Sequence, residues 1–108
     1  MTEYVSVEIT VTDAGWVPEY AAEVHKLVET QGGRYLARSG NIESLEGAEN
    51  AATLIAILAF PSADAVKAFA TDPAYAPYGQ ARQAGSISRF RLIDDTDLAG
   101  TIPYLDAA

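Results

Sequence analysis

Residues 53–60 restrict the fold more than any other segment, because they read Thr-Leu-Ile-Ala-Ile-Leu-Ala-Phe and are apolar on both faces. A short apolar run that stops at a proline, here Pro61, is typical of a strand with a packed layer on each side. Side chains alternate along a strand, so Ile55 and Ile57 point away from the face that carries Phe60. The sheet that contains this strand must therefore be covered on both faces.

Three further segments have the pattern of strands. Residues 4–11 alternate between apolar and polar side chains, and residues 86–93 set Phe90 and Leu92 against two arginines on the other face. Residues 34–39 form a shorter candidate strand that follows a Gly-Gly pair. Together with the apolar segment, they predict a sheet of four strands.

Two segments have the apolar spacing of helices. Residues 17–28 carry one apolar stripe, and Asp13 is a suitable residue to cap the helix that contains it. Ser62 caps a second helix, which Pro73 ends, and residues 74–84 are expected to form a turn or a short irregular helix. The order strand, helix, strand, strand, helix, strand predicts an α+β domain of ferredoxin-like βαββαβ topology with an antiparallel sheet.

The chain of 108 residues is expected to form one domain at residues 1–93, followed by an acidic tail at residues 94–108. Two helices can cover only one face of the sheet. The simplest cover for the other face is the same sheet of a second copy, which predicts a homodimer and a dimeric α+β barrel. The tail offers alternatives, since its apolar patch at residues 102–105 can fold back over its own sheet or wrap around the partner.

The net charge of -8 and the isoelectric point near 4.3 repel nucleic-acid phosphates and anionic lipid headgroups. Neither nucleic acid nor a membrane surface is therefore an expected partner. The chain has no cysteine and so does not require an oxidising compartment. Its first residues show neither a basic start nor an apolar stretch of the kind found in leader peptides. These features predict a cytoplasmic protein.

Several short motifs occur together in the chain. They are Gly32-Gly33-Arg34-Tyr35-Leu36-Ala37-Arg38, Leu45-Glu46-Gly47, Phe60-Pro61-Ser62, Ala68-Phe69, Tyr75 and Arg82. In this combination they resemble the domain of unknown function 1330 family, within the dimeric α+β barrel superfamily, over residues 4–93. The resemblance implies a ferredoxin-like protomer whose sheet packs on that of its mate, with a small cleft between the sheet and the helices.

The resemblance implies no settled activity, since similar barrels serve as cofactor-free monooxygenases, isomerases, dehalogenating or decarboxylating enzymes, haem proteins and binding modules. The chain departs from the family pattern at two positions. Ala70 stands where family members usually have tyrosine, and Ser39 stands where they usually have glycine. These departures are expected of a specialised member.

Charged side chains supply the first candidates for a site. Guanidinium groups hold planar anions at two points, so Arg38 and Arg82 can clamp a carboxylate while Glu46 moves a proton. Arg38 and Glu46 can instead pair with each other and hold a loop against the sheet. His25 is the only histidine, and imidazole titrates nearest to neutral pH, which makes His25 the second candidate for proton transfer. It can equally be a surface residue without a role.

Tyrosines supply the second group of candidates. Tyr20, Tyr75 and Tyr78 offer flat apolar walls and phenolic hydrogen bonds to a small organic ligand, with simple core packing as the alternative. Glu8 shares the polar face of the first strand with Tyr4, where a dimeric barrel would enclose its carboxylate as a further substrate-binding group. At an exposed edge the same carboxylate would only be solvated.

The chain has no phosphate-binding loop, dinucleotide fingerprint, histidine pair at metal-ligand spacing or serine nucleophile motif. No metal and no cofactor is therefore expected. The first hypothesis is a cofactor-independent acid–base enzyme, an isomerase, cyclase or lyase that acts on a small organic acid or carbonyl compound. The second is a non-catalytic dimeric module that binds a small molecule or a partner protein.

Overall fold

The computed structural model describes residues 2–47 and 51–100. The elements along the chain are β1 (Glu3–Val11), α1 (Val17–Thr30), β2 (Arg34–Ser39), β3 (Leu54–Phe60), α2 (Ala63–Ala70), α3 (Ala76–Ala84) and β4 (Ser86–Asp94). The predicted ferredoxin-like α+β fold is confirmed, and the expected turn or irregular helix before the last strand is the helix α3. None of the described helices has the length and apolar character that crossing a bilayer requires.

The four strands form one antiparallel sheet in the order β2-β3-β1-β4. Val5 on β1 lies between Leu58 on β3 and Leu92 on β4, so the side chains at these positions share one face. We call this the helix face, because its apolar residues form one buried cluster with Val24 and Val28 of α1. The core of the domain is therefore the layer between this face and the helices.

The end of α1 brings the chain close to the centre of the core. Gly32 has a φ of 77°, and its N–H donates to the Glu29 carbonyl at 2.9 Å. The N–H of Gly33 donates to the Val28 carbonyl at 3.0 Å, which completes a Schellman motif and turns the chain into β2. A Cβ atom on Gly33 would lie 2.6 Å from the ring of Phe60. The Gly-Gly pair thus provides both the positive φ and the room for the core aromatic ring.

Two polar side chains cap helical turns. The Ser62 hydroxyl accepts a hydrogen bond from the Ala65 N–H at 3.1 Å at the start of α2, as predicted. The prediction that Asp13 caps α1 is wrong. Its carboxylate accepts from the Gly15 N–H at 3.0 Å and caps a turn of 3-10 helix at Ala14–Trp16, which precedes α1. The α-helix begins only at Val17, beyond the reach of that short side chain.

The other side of the sheet, which we call the open face, carries a mixture of apolar and charged residues. They include Ser6, Glu8, Ile55, Ile57, Ala59, Ile87, Arg89, Arg91 and Ile93. Ile57 is 42% exposed and Ile93 is 60% exposed. The Glu8 carboxylate lies 3.8 Å from the guanidinium of Arg89. The tail patch at residues 102–105 lies outside the described residues, so both alternatives for it, packing over its own sheet or around the partner, stay predictions.

Candidate functional site

A cleft of about 660 Å³ lies between the helix face and the helices. Its walls are mostly aliphatic and aromatic. They include Val5, Val7, Leu58, Phe60, Val66, Phe69, Phe90 and Leu92. The polar groups along the cleft include those of Trp16, Tyr20, Tyr35, Arg38, Tyr75 and Arg82. An apolar cleft with a few converging polar groups is the usual form of a small-molecule site.

Arg82 on α3 is the buried cation of the cleft. The residue is only 7% exposed, and its guanidinium carbon lies 4.3 Å from the centre of the Phe90 ring on β4. Its Nε has no hydrogen-bond partner, and the ion pairs found within residues 2–47 and 51–100 involve other residues. A buried charge is costly unless it is paired. The guanidinium is therefore suited to receive an anionic ligand.

Tyr20 on α1 and Tyr75 at the start of α3 form a pair of phenols in the cleft. Their hydroxyl oxygens are 2.9 Å apart, and either one can be the donor. Burial raises the pKa of the Tyr20 phenol far above its usual range, and Tyr75 raises it further, whereas the charge of Arg82 acts in the opposite direction. Tyr20 is therefore a neutral hydrogen-bonding group at physiological pH.

Trp16 and Gly79 hold the two phenols in place. The ring of Trp16 meets that of Tyr20 edge-on, with centroids 5.2 Å apart, and its indole N–H donates to the Gly85 carbonyl at 3.1 Å. A Cβ atom on Gly79 would lie 3.1 Å from the ring of Tyr75. The phenol pair is thus positioned by α1, α3 and the 3-10 turn together.

The second arginine of the cleft, Arg38 on β2, is more exposed than Arg82. Its guanidinium carbon lies 4.6 Å from the centre of the Tyr35 ring. Burial raises the pKa of the Tyr35 phenol, and the charge of Arg38 and a hydrogen bond from it partly offset that rise. Arg38 is thus a cation at the outer part of the cleft.

The remaining predicted site residues lie away from the cleft. His25 is half-buried on α1, with its Nδ1 at 3.3 Å from the Ala21 carbonyl oxygen. Glu46 is exposed in the segment between β2 and β3, and Glu8 is on the open face. Tyr78 packs against the edge of the core. Of the predicted residues, the structure brings together Arg38, Arg82, Tyr20 and Tyr75.

The sequence reasoning did not select Tyr35, Trp16 and Phe90 as site residues, although all three line the cleft. Phe90 was recognisable from its position opposite the arginines of the last strand. Tyr35 had no such signal, because a β-bulge interrupts the alternation of β2 between Tyr35 and Ala37. As a result Tyr35 faces Leu58 and Arg38 faces Ala56, so both lie on the helix face.

Several proteins of known structure share the fold of this chain. No curated protein sequence gives a significant match to the chain. A protein of unknown function from Rhodopseudomonas palustris has a similar structure, with a TM-score of 0.77 and 18% identity, over 89% of this chain and 83% of that one. SnoaB, a cofactor-independent oxygenase from Streptomyces nogalater, is similar with a TM-score of 0.63 and 16% identity, over 89% and 94%.

A hypothetical protein from Arabidopsis thaliana is also similar, with a TM-score of 0.56 and 20% identity, over 90% of this chain and 89% of that one. At these identities the similarity shows a shared fold. The sequence carries a stronger signal, since the model of a family described as a domain of unknown function, DUF1330, matches residues 2–96. That match spans every strand and α-helix found in the described part of the chain. The chain therefore belongs to the DUF1330 family, as its motifs indicated.

Proposed function

We propose that the chain binds a small organic acid with an apolar body in the cleft and converts it without a cofactor, as an isomerase, cyclase or lyase. The observation that carries this proposal is Arg82, a buried guanidinium with an unpartnered Nε in an otherwise apolar cleft. A carboxylate is the ligand group that matches a guanidinium in charge and in shape. Phe90 and Leu92, which line the cleft and are partly exposed, would then contact the apolar body.

The chemistry proposed for the cleft depends on its phenols. Tyr20 and Tyr75 place phenol hydroxyls in a mostly apolar cleft, where a donor aimed at developing negative charge is most effective. Arg82 is near enough for its charge to act on Tyr20. SnoaB, which has the same fold, is a cofactor-independent oxygenase and supports a mechanism of this general type. The predicted roles of His25 and Glu46 in moving a proton stay predictions.

A non-catalytic binding module is the second candidate, and one observation favours it. The described residues that line the cleft include no carboxylate and no imidazole, which are the commonest proton-transfer groups. An enzyme would have to use the phenols or the substrate itself. Recovery of a bound acid unchanged after long incubation would support the module, whereas a new product would support the enzyme.

Replacing Arg82 by methionine is expected to abolish the binding of organic acids without unfolding the protein. Methionine fills similar space but carries no charge, so affinity should fall at least about tenfold while the unliganded melting temperature stays within a few degrees. Differential scanning fluorimetry against benzoate, hexanoate and 3-phenylpropionate measures both quantities. An acid at about 100 times its Kd stabilises the native state by about 2.7 kcal/mol, which is a clear shift.

Lys67→Met is the matched control for that experiment, because Lys67 is an exposed cation on α2 and does not line the cleft. The control removes the same charge and should leave ligand-induced shifts unchanged. Equal loss of binding in both variants would mean that only net charge matters. Retention of binding by Arg82→Met, or a large fall in its unliganded melting temperature, would assign Arg82 a structural role and refute the proposal.

We also propose that two copies pack through their open faces and form a cytoplasmic homodimer. The exposed Ile57, Ile87 and Ile93 support this, since an apolar sheet face of this kind is usually covered. Glu8 and Arg89 on the same face can pair across a symmetric interface as well as within one chain. Sedimentation of the protein as an 11.5 kDa species alone at micromolar concentration would disprove the dimer.

A further inference from the structure

The Tyr20–Tyr75 pair has one O–H donor without a partner among the described residues. Two neutral hydroxyls carry two hydrogens, and the bond between Tyr20 and Tyr75 uses one of them. Whichever phenol accepts in that bond keeps its own O–H for another partner. Neither hydroxyl has a further hydrogen bond within residues 2–47 and 51–100. The pair therefore presents one free donor to the cleft, and a ligand acceptor would satisfy it.

The free donor and the buried cation line the same cleft. Arg82 follows Tyr75 by two helical turns, about 10 Å along the axis of α3, and side chains of a helix lean towards its N-terminus. This lean is towards the end of α3 where Tyr75 lies. The charge of Arg82 also acts on the phenol of Tyr20. A ligand that carries two oxygen functions would engage both groups.

Arg82 and the phenol pair both offer donors to a ligand in the cleft. The guanidinium groups of Arg38 and Arg82 can only donate, and the phenol pair adds one free O–H. The indole N–H of Trp16 already donates to the Gly85 carbonyl, and Gln83 contributes an amide that can donate or accept. A hydroxyl on the ligand would bring a hydrogen that needs an acceptor in an apolar cleft, whereas a keto oxygen needs only a donor. A keto oxygen therefore matches the free O–H of the phenol pair without bringing a donor of its own.

From this arrangement we infer that the organic acid is a keto acid, held with its carboxylate on Arg82 and its keto oxygen on the free O–H of the Tyr20–Tyr75 pair. The apolar body of the acid lies against Phe90 and Leu92, which line the cleft and are partly exposed. The inference rests on the proposed function, because it presupposes the anion site at Arg82. To the proposed function it adds the phenol pair as a second group that recognises the ligand, and it names the class of the substrate.

The test compares three acids that share a phenyl ring and a three-carbon chain but differ at one carbon. Phenylpyruvate has a keto oxygen, 3-phenyllactate a hydroxyl and 3-phenylpropionate no oxygen at that position. Isothermal titration calorimetry at pH 7 should give a Kd for phenylpyruvate about tenfold below that for 3-phenylpropionate, with 3-phenyllactate nearer to the latter. The double variant Tyr20→Phe/Tyr75→Phe should bind all three acids within about twofold of one another.

Both tyrosines must be replaced together, because either phenol alone still has an O–H to donate. Tyr78→Phe is the matched control, since Tyr78 does not line the cleft and its loss should preserve the preference for phenylpyruvate. Thermal unfolding of each variant confirms that it is folded before it is titrated. Loss of the preference in the double variant alone supports the inference.

Two results would overturn it, and they separate it from the proposed function. Equal affinity of the wild-type protein for phenylpyruvate and 3-phenylpropionate, with both lost in Arg82→Met, leaves the anion site and rejects the keto recognition. Persistence of the preference in the double variant rejects the phenols as its origin. Failure of all three acids to bind at millimolar concentration rejects the inference and the proposed function together.

Discussion

Phe60→Ala is expected to destabilise the domain by about 3–5 kcal/mol, the range for deleting a fully buried aromatic side chain. Phe60 is 2% exposed, and its ring packs 5.9 Å from that of Phe69 and directly against the backbone of Gly33. The Schellman turn at the end of α1 cannot easily collapse into the space that the ring leaves. Since small domains have about 5–15 kcal/mol of stability in total, the loss is a large fraction of it.

Urea unfolding followed by circular dichroism measures this loss, and Phe90→Ala is its matched control. Phe90 has the same side chain on the same sheet face, but it is 40% exposed at the edge strand β4. Phe90→Ala should lower the free energy of unfolding by less than half as much as Phe60→Ala, because the folded protein buries less of the Phe90 side chain. Equal losses in the two variants would mean that the core is not centred on Phe60.

Ile57→Arg is expected to convert the proposed dimer into monomers. Ile57 lies on β3, one of the two central strands, and it pairs with Ser6 on β1, so in a sheet-to-sheet interface it would be near the centre. An arginine there would bury an unpaired charge from each copy, at several kcal/mol. The dimer Kd should therefore rise on the order of a hundredfold or more. Analytical ultracentrifugation over a concentration series measures it.

Ile42→Arg is the control that matches this change in chemistry and in exposure. Ile42 is 40% exposed against 42% for Ile57, but it lies in the segment between β2 and β3 rather than on the open face. It should leave the sedimentation unchanged. If Ile57→Arg sediments like the wild-type protein, the open face is not the contact between copies, and another occupant of that face must be sought.

The strands, the helix spacing and the direction of most side chains could be predicted from the sequence. Alternation along a strand is local, so it assigned Phe60 to one face of β3 and Ile57 to the other. Ser62 acts on the N–H of Ala65, only three residues away, and its role was equally visible. The prediction for Asp13 was wrong, because a 3-10 turn precedes α1 and Asp13 caps that turn instead.

The composition of the site was predicted only in part, because it depends on distances between elements. Arg82 and Tyr20 belong to α3 and α1, and only the packing of both helices on the sheet brings them to one cleft. His25 lies on the same helix as Tyr20 but is not among the residues that line the cleft. The chemistry of the His25 imidazole suits proton transfer, but it does not indicate whether His25 lines the cleft.

The sequence by itself determined the order of elements, the two apolar faces of β3 and membership of the DUF1330 family. The tertiary structure alone decided that Arg38 shares a face with Tyr35, because the bulge in β2 breaks the two-residue period between them. It alone also decided that Arg82 is buried and that its Nε has no hydrogen-bond partner among the described residues. Local patterns fix where a side chain points relative to its own backbone, whereas the register and packing of distant segments fix what it meets.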